Sequence, residues 1–278
     1  MALKFFAVLI VLGALWLGPQ LARYRQWHAY DTWLARLRDG TELARVLLAV
    51  LLPTLVVLAI ATLLRGSMFG DLLWLLFALL ILGFCLGEVE PDVDAVLQEA
   101  EARGVAMRTL CRDAGCDESD SDIDLVEIAV MAALRRRFGV IFWFFVLGPA
   151  GAVLYRLAQR LAREGEPRGA SVRLASALDW LPAHLMTLAM ALASDFDNVA
   201  RAWRGWHADP ARRAWEFDPG FLAAVSRVDA EDEEESDDPD LARARSLRRL
   251  AGARNLLLRV LVLWMVVAAL IVLAGWAG

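Results

Sequence analysis

The residues best equipped for chemistry lie between Phe142 and His184. An aromatic run (Phe142, Trp143, Phe144, Phe145) leads into Gly148-Pro149-Ala150-Gly151, then Tyr155-Arg156, Arg173, Asp179-Trp180, Pro182 and His184. Glycine and proline interrupt helices, one for want of a Cβ and the other for want of an N–H. A helix interrupted at membrane depth frees backbone N–H groups that can hold an anion, and Arg156 would assist them. Ionisable groups at such depth are costly, which makes Arg156 and Asp179 functional candidates. A structural account competes with this one: Gly-Pro lets helices pack closely, Asp179 caps the following helix, and Arg156 snorkels. The candidate ligand site is therefore Gly148, Pro149, Gly151, Tyr155, Arg156, Arg173, Asp179, Trp180, Pro182 and His184, with none assigned as catalytic or as a metal ligand.

Other chemistries find little support. His28, His184 and His207 are scattered, which gives no zinc signature. Cys85, Cys111 and Cys116 form neither a CxxC nor an even set, so they read as reduced thiols. Asp120, Asp122 and Asp124 alternate as in a calcium loop, but the central glycine is missing and Glu127 comes too early. These acids read instead as a solvated helix entry rich in N-cap residues. The chain has no Walker loop and no GxGxxG, and neither a G-x-S-x-G elbow nor an HExxH pair.

The elements that must position the site are membrane helices. Of 278 residues, 59% are hydrophobic, against about 45–50% in soluble domains. A helix crossing ~30 Å of hydrocarbon needs ~20 mainly apolar residues. Ala2–Gly18, Val46–Leu64 (with Pro53 as a kink), Leu72–Leu86 and Leu256–Trp276 qualify or come close. Ala2–Gly18 lacks a basic n-region and an A-x-A site, which reads as an uncleaved span. Phe138–Ala158 and Leu174–Ser194 are apolar but carry breakers, and they read as broken, re-entrant or interfacial helices.

Arginine sets the expected orientation. Arg23, Arg25, Arg36, Arg38 and Arg45 place the first loop inside, and Arg135, Arg136 and Arg137 close an inside segment. Arg156, Arg160, Arg163, Arg168 and Arg173 keep both interrupted segments starting and ending inside, with both termini outside. The expected fold class is thus an all-α membrane protein with about four transmembrane helices, broken or interfacial helices, and cytoplasmic helical segments. The expected divisions are 1–87 (three spans), 88–137 (cytoplasmic helical), 138–194 (broken helices), 195–255 (cytoplasmic) and 256–278 (last span).

Charge adds little to this. Nine of the 34 acids lie in residues 229–240, a local block on an otherwise slightly basic chain, read as a solvated disordered loop. Trp203, Trp206 and Trp215 stand among arginines, as in an interfacial belt.

At FWFFVLGPAGAVLYRLAQRL and LDWLPAHL, over about Phe142–Leu185, the chain resembles the paired motifs shared by the AmpE family and the CobD/CbiB membrane synthases. Likeness to AmpE implies an inner-membrane modulator of β-lactamase induction, tied to peptidoglycan recycling and without established catalysis. Likeness to CobD/CbiB implies a Mg-ATP-dependent cobinamide synthase-type enzyme. The synthase is expected to carry an acidic, Asn-containing stretch where this chain has Met131–Arg137, and acids where it has Ala175 and Ser176. His184 also stands where the synthase has arginine. Holding Mg²⁺ for nucleotide chemistry takes carboxylates, so these departures favour the regulatory reading, with no cofactor. Mg-ATP enters only under the alternative, and a membrane scaffold is a third reading. The expected partners are the lipid bilayer and a protein or cell-wall-derived ligand, with no nucleic acid, and a homo-oligomer is left open.

Overall fold

The computed structural model describes residues 2–17, 28–37, 40–66, 69–87, 90–98, 103–115, 124–164, 169–209, 217–227 and 239–275. Among these residues the chain is helical and has no strand. Arg23, Arg25, Arg38, Cys116, Asp120, Asp122, Arg168, Trp215 and nearly all of the acidic block lie outside the described residues.

The chain divides into two compact units, Met1–Gly87 with Gly139–Leu178 and Val267–Gly278, and Glu88–Phe138 with Asp179–Val266. The first contains α1 (Ala2–Leu17), α2 (His28–Arg36), α3 (Glu42–Val46), a π-helical turn (Leu47–Leu51), α4 (Leu52–Arg65) and α5 (Gly70–Cys85). α9 (Gly139–Leu147) and α10 (Pro149–Arg163) complete its core. The second holds α6 (Glu90–Leu97), α7 (Arg103–Ala114), α8 (Leu125–Ala133) and a second π-helical turn (Leu134–Phe138). It also holds α12 (Phe196–Ala208) and α13 (Phe221–Ser226). α11 (Ala170–Ala193) and α14 (Pro239–Leu273) run through both divisions.

Among the described residues, three helical stretches are long and apolar enough to cross a membrane: Glu42–Arg65, Gly70–Leu97 and Ala244–Leu273. They present rows of exposed leucine and valine, Leu55, Leu63, Leu76, Leu80, Val262 and Val266 among them, as a lipid-facing surface does. This is an all-α membrane protein. α1, with 16 described residues, is a shorter apolar helix.

Local chemistry explains the breaks. α9 stops at Gly148 (φ 71°, ψ −150°), a region open essentially to glycine alone. Pro149 then starts α10, where the missing N–H has no intrahelical partner to lose. Lys4, the chain's sole lysine, donates from Nζ to the Phe145 carbonyl at 2.9 Å, supplying the exposed end of α9 with a cation.

Pro182 behaves differently from the sequence expectation. α11 continues through it as one 24-residue helix, so Leu174–Ser194 is unbroken. Proline denies the carbonyl four residues earlier its usual donor, and that carbonyl belongs to Leu178. Trp143 Nε1 donates to the Leu178 oxygen at 3.0 Å and satisfies it from another helix. Pro53 has a parallel arrangement, with Tyr30 Oη donating to Ala49 O at 3.3 Å. Trp143→Phe keeps a smaller aromatic ring but strands the Leu178 carbonyl, and the lost hydrogen bond alone should cost about 1–3 kcal/mol. A thermal unfolding scan of the purified protein checks this.

In the second unit, α8 forms the centre. Val126 and every residue from Ile128 to Ala133 are buried, and a helix apolar on all sides belongs in an interior. Asp124 caps it, accepting from Val126 N at 3.1 Å, as the N-cap reading of this segment expected. α6, α7, α12, α13 and the adjoining parts of α11 and α14 contribute to the same core, including Val96, Leu110, Met186, Phe221 and Val260.

Candidate functional site

The candidate residues fall into two groups. Gly148, Pro149, Gly151, Tyr155, Arg156 and Arg173 belong to the first unit; Asp179, Trp180, Pro182 and His184 belong to the second.

In the first group, α9 and α10 fold against each other. A Cβ on Gly151 would lie 2.0 Å from the Trp143 carbonyl oxygen, so the two backbones touch where no other residue fits. Tyr155 is fully buried, and its ring fills the space a side chain on Gly139 would take. Arg156 is half-buried, with Nε and Nη1 inaccessible and lacking a hydrogen-bond partner among the described residues. Arg173 is exposed on α11. Gly148, Pro149 and Gly151 therefore build the helix reversal, while Arg156 retains unfilled donor capacity.

In the second group, Asp179 is fully buried in the middle of α11, so it does not cap a helix. Its counter-ion is Arg135, whose Nε lies 3.2 Å from Asp179 Oδ2. Arg135 also donates from Nη1 to Ala114 O at 2.7 Å.

Arg135 is one of three consecutive arginines in the π-helical turn Leu134–Phe138. Arg136 is 4% exposed and Arg137 5%. Arg136 bonds Asp113 through Nε and Asp92 through Nη1 (2.5 Å), and Arg137 grips both carboxylate oxygens of Glu90. Paired guanidinium forks of this kind are the strong class of charged hydrogen bond. Arg136 and Arg137 are thus buried members of an ion-pair hub, with Arg135 partly exposed beside them. Two further pairs, Arg254 with Asp94 (2.7 Å) and Arg249 with Asp124, tie α14 to α6 and α8. Arg227 pairs with Glu127 in the same unit.

Trp180 and His184 form an aromatic cluster that the sequence left unrecognised. The His184 ring stands 4.3 Å from Trp180, 4.2 Å from Phe221 and 5.9 Å from His207. Trp203 stacks on His207 at 4.3 Å. Each histidine Nδ1 meets the carbonyl of the tryptophan four residues earlier, at 2.8 Å. The available signal was the repeated Trp-x-x-x-His spacing, Trp180/His184 and Trp203/His207. Trp203 and Trp206 are partly buried and pack against the core of the second unit.

Burial holds the His184 imidazole below its ordinary value of 6.5, and the neighbouring His207 pushes the same way against the Trp180 hydrogen bond. The unfolded chain therefore takes up the proton first, and the stabilisation is complete above that value and lost as pH falls below it. Stability should decline as pH falls below about 6.5, and His184→Phe should flatten that decline in midpoints measured on the acid side of neutrality.

No family model matches the chain, and no solved structure matches it. The cobalamin biosynthesis protein CobD of Chromobacterium violaceum is 40% identical over 77 residues, which is 25% of this chain and 24% of that protein. The chain thus matches about a quarter of that relative's length, and it carries a CobD-like segment within a membrane protein.

Proposed function

We propose that this chain is a multi-pass inner-membrane regulatory protein of the AmpE kind, modulating β-lactamase induction in connection with peptidoglycan recycling. The observation that carries the non-enzymatic part of this reading is the use of the carboxylates in the second unit. Glu90, Asp92, Asp94, Asp113, Asp124 and Asp179 are each bound to an arginine. A divalent cation drawing on the buried members of this set would strand guanidinium groups, and breaking a buried pair costs about 3–5 kcal/mol. These acids serve as structural counter-ions, and the module they hold together suits recognition better than metal–nucleotide chemistry. The link to β-lactamase comes from the motif likeness alone.

A second reading, a cobinamide synthase-type enzyme using Mg-ATP, draws on the likeness to CobD. One experiment separates the two. The gene is deleted in its own host and restored on a plasmid, and it is introduced in parallel into a cobalamin auxotroph lacking the synthase. Restored β-lactamase induction with no growth of the auxotroph is the expected result. Growth of the auxotroph would move the synthase reading ahead.

A further inference from the structure

The second unit holds a cavity of about 350 Å³ lined by none of the ten candidate residues above. One wall is a stripe along α14, where Gly252, Asn255 and Arg259 recur at three- and four-residue spacing and so lie on one helix face. A Cβ at Gly252 would meet nothing within 4 Å, which leaves space open beside the helix. The opposite side comes from α8 and the α11–α12 junction, including Val130, Met190 and Asp195.

The charges around this cavity do not cancel at Arg259. Asp195 is engaged by the start of α12, accepting from the Asp197 and Asn198 amides and from Asn198 Nδ2. Arg249, also on the wall, is paired with Asp124. Arg259 and Asn255 make no side-chain hydrogen bond or ion pair among the described residues, which leaves a guanidinium fork and an amide facing open space. The same face continues into Val262 and Val266, 62% and 49% exposed, within a helix apolar enough to cross a membrane. A cationic, donor-bearing cavity opening onto a lipid-facing apolar stripe has the two ends of a phospholipid. Basic pockets beside membrane helices hold lipid headgroups in this way.

We propose that this cavity binds the phosphate ester of a membrane-lipid headgroup, with Arg259 and Asn255 as donors and the acyl chains lying along Val262 and Val266. Arginine suits the role because its fixed fork meets two phosphate oxygens at once. The lipid source is favoured over a soluble phosphate compound because the apolar stripe follows directly on the donors.

The test uses the full chain in detergent and reads its thermal midpoint against added phosphatidylglycerol, diacylglycerol and glycerol 1-phosphate. Phosphatidylglycerol should raise the midpoint, and the other two should leave it nearly unchanged. In Arg259→Gln, half-saturation should need about tenfold more phosphatidylglycerol, as loss of a charged hydrogen bond predicts. Arg259→Lys should recover part of the response, and Arg204→Gln, on an exposed part of α12, should respond like the unaltered protein. An equal response from diacylglycerol, an equal response from glycerol 1-phosphate, or an unaltered response in Arg259→Gln would each overturn the proposal. Should Arg259→Gln fail to fold, Gly252→Leu places an apolar side chain on the cavity wall where a Cβ meets nothing within 4 Å, and a full lipid response in that variant would overturn it too.

Discussion

Replacing Arg136 with alanine is expected to destabilise the second unit by about 3–5 kcal/mol, because two carboxylates lose their shared counter-ion. Asp113 is 7% exposed, so water cannot take over for the guanidinium. Asp92 is more open to solvent and should account for less of the loss. For a unit of this size the midpoint should fall by roughly 10 °C, measured by circular dichroism in detergent. Arg136→Met combined with Asp113→Leu should recover much of that loss, since apolar groups of similar volume can replace a buried pair at little cost. Full destabilisation in the double variant would mean that the hub contributes more than charge compensation, for instance by fixing the π-helical turn. Arg173→Gln, at an exposed position, is the matching control and should shift the midpoint little.

Gly151→Val should be the most damaging single change in the first unit. Even the first carbon of a side chain there would meet the Trp143 carbonyl oxygen at 2.0 Å and the carbon behind it at 2.7 Å. Both obstacles are backbone, so no rotamer change relieves them, and α9 must separate from α10. Overpacking of a well-filled core costs about 1–3 kcal/mol when side chains can adjust, and a backbone obstacle should exceed that range. Gly148→Ala tests the neighbouring constraint separately. Its torsion angles impose about 1–3 kcal/mol of strain on a residue with a Cβ. The two effects differ in kind, one from contact and one from torsion. The loss should therefore grow with side-chain size at position 151 but change little between alanine and serine at position 148. Midpoints of Gly151→Ala, Gly151→Val, Gly148→Ala and Gly148→Ser, with expression yields, check this.

Several features were legible before any coordinates because they rest on local rules. The Gly148-Pro149 break follows from the stereochemistry of two residues, and the apolar stretches follow from length and hydropathy. The N-cap role of Asp124 follows from the same kind of rule, since a short acidic side chain preceding an apolar run caps its own helix. Pro182 shows where such rules stop. Proline disfavours a helix interior by removing one donor, yet Trp143, 35 residues away from Leu178 in sequence, supplies a replacement. Nothing within one turn of Pro182 announces that donor.

The candidate site shows the same division. Asp179 was recognisable as an unusual acid in an apolar setting, but nothing near it in sequence identifies its partner. The true counter-ion lies 44 residues earlier, in a triplet that loop-charge counting treats as an orientation marker. His184 and His207 read as scattered because 23 residues separate them, although they share one ring cluster. By itself, then, the sequence determined an all-α membrane protein, the position of its glycine-proline reversal and the identity of its costly polar groups. Those properties depend on each residue's own geometry and hydration. The tertiary structure decided which charge answers which, that Arg135, Arg136 and Arg137 turn inward, and that Arg259 remains to face open space. Pairing energies depend on distances between residues far apart in the chain, and only folding brings those residues together.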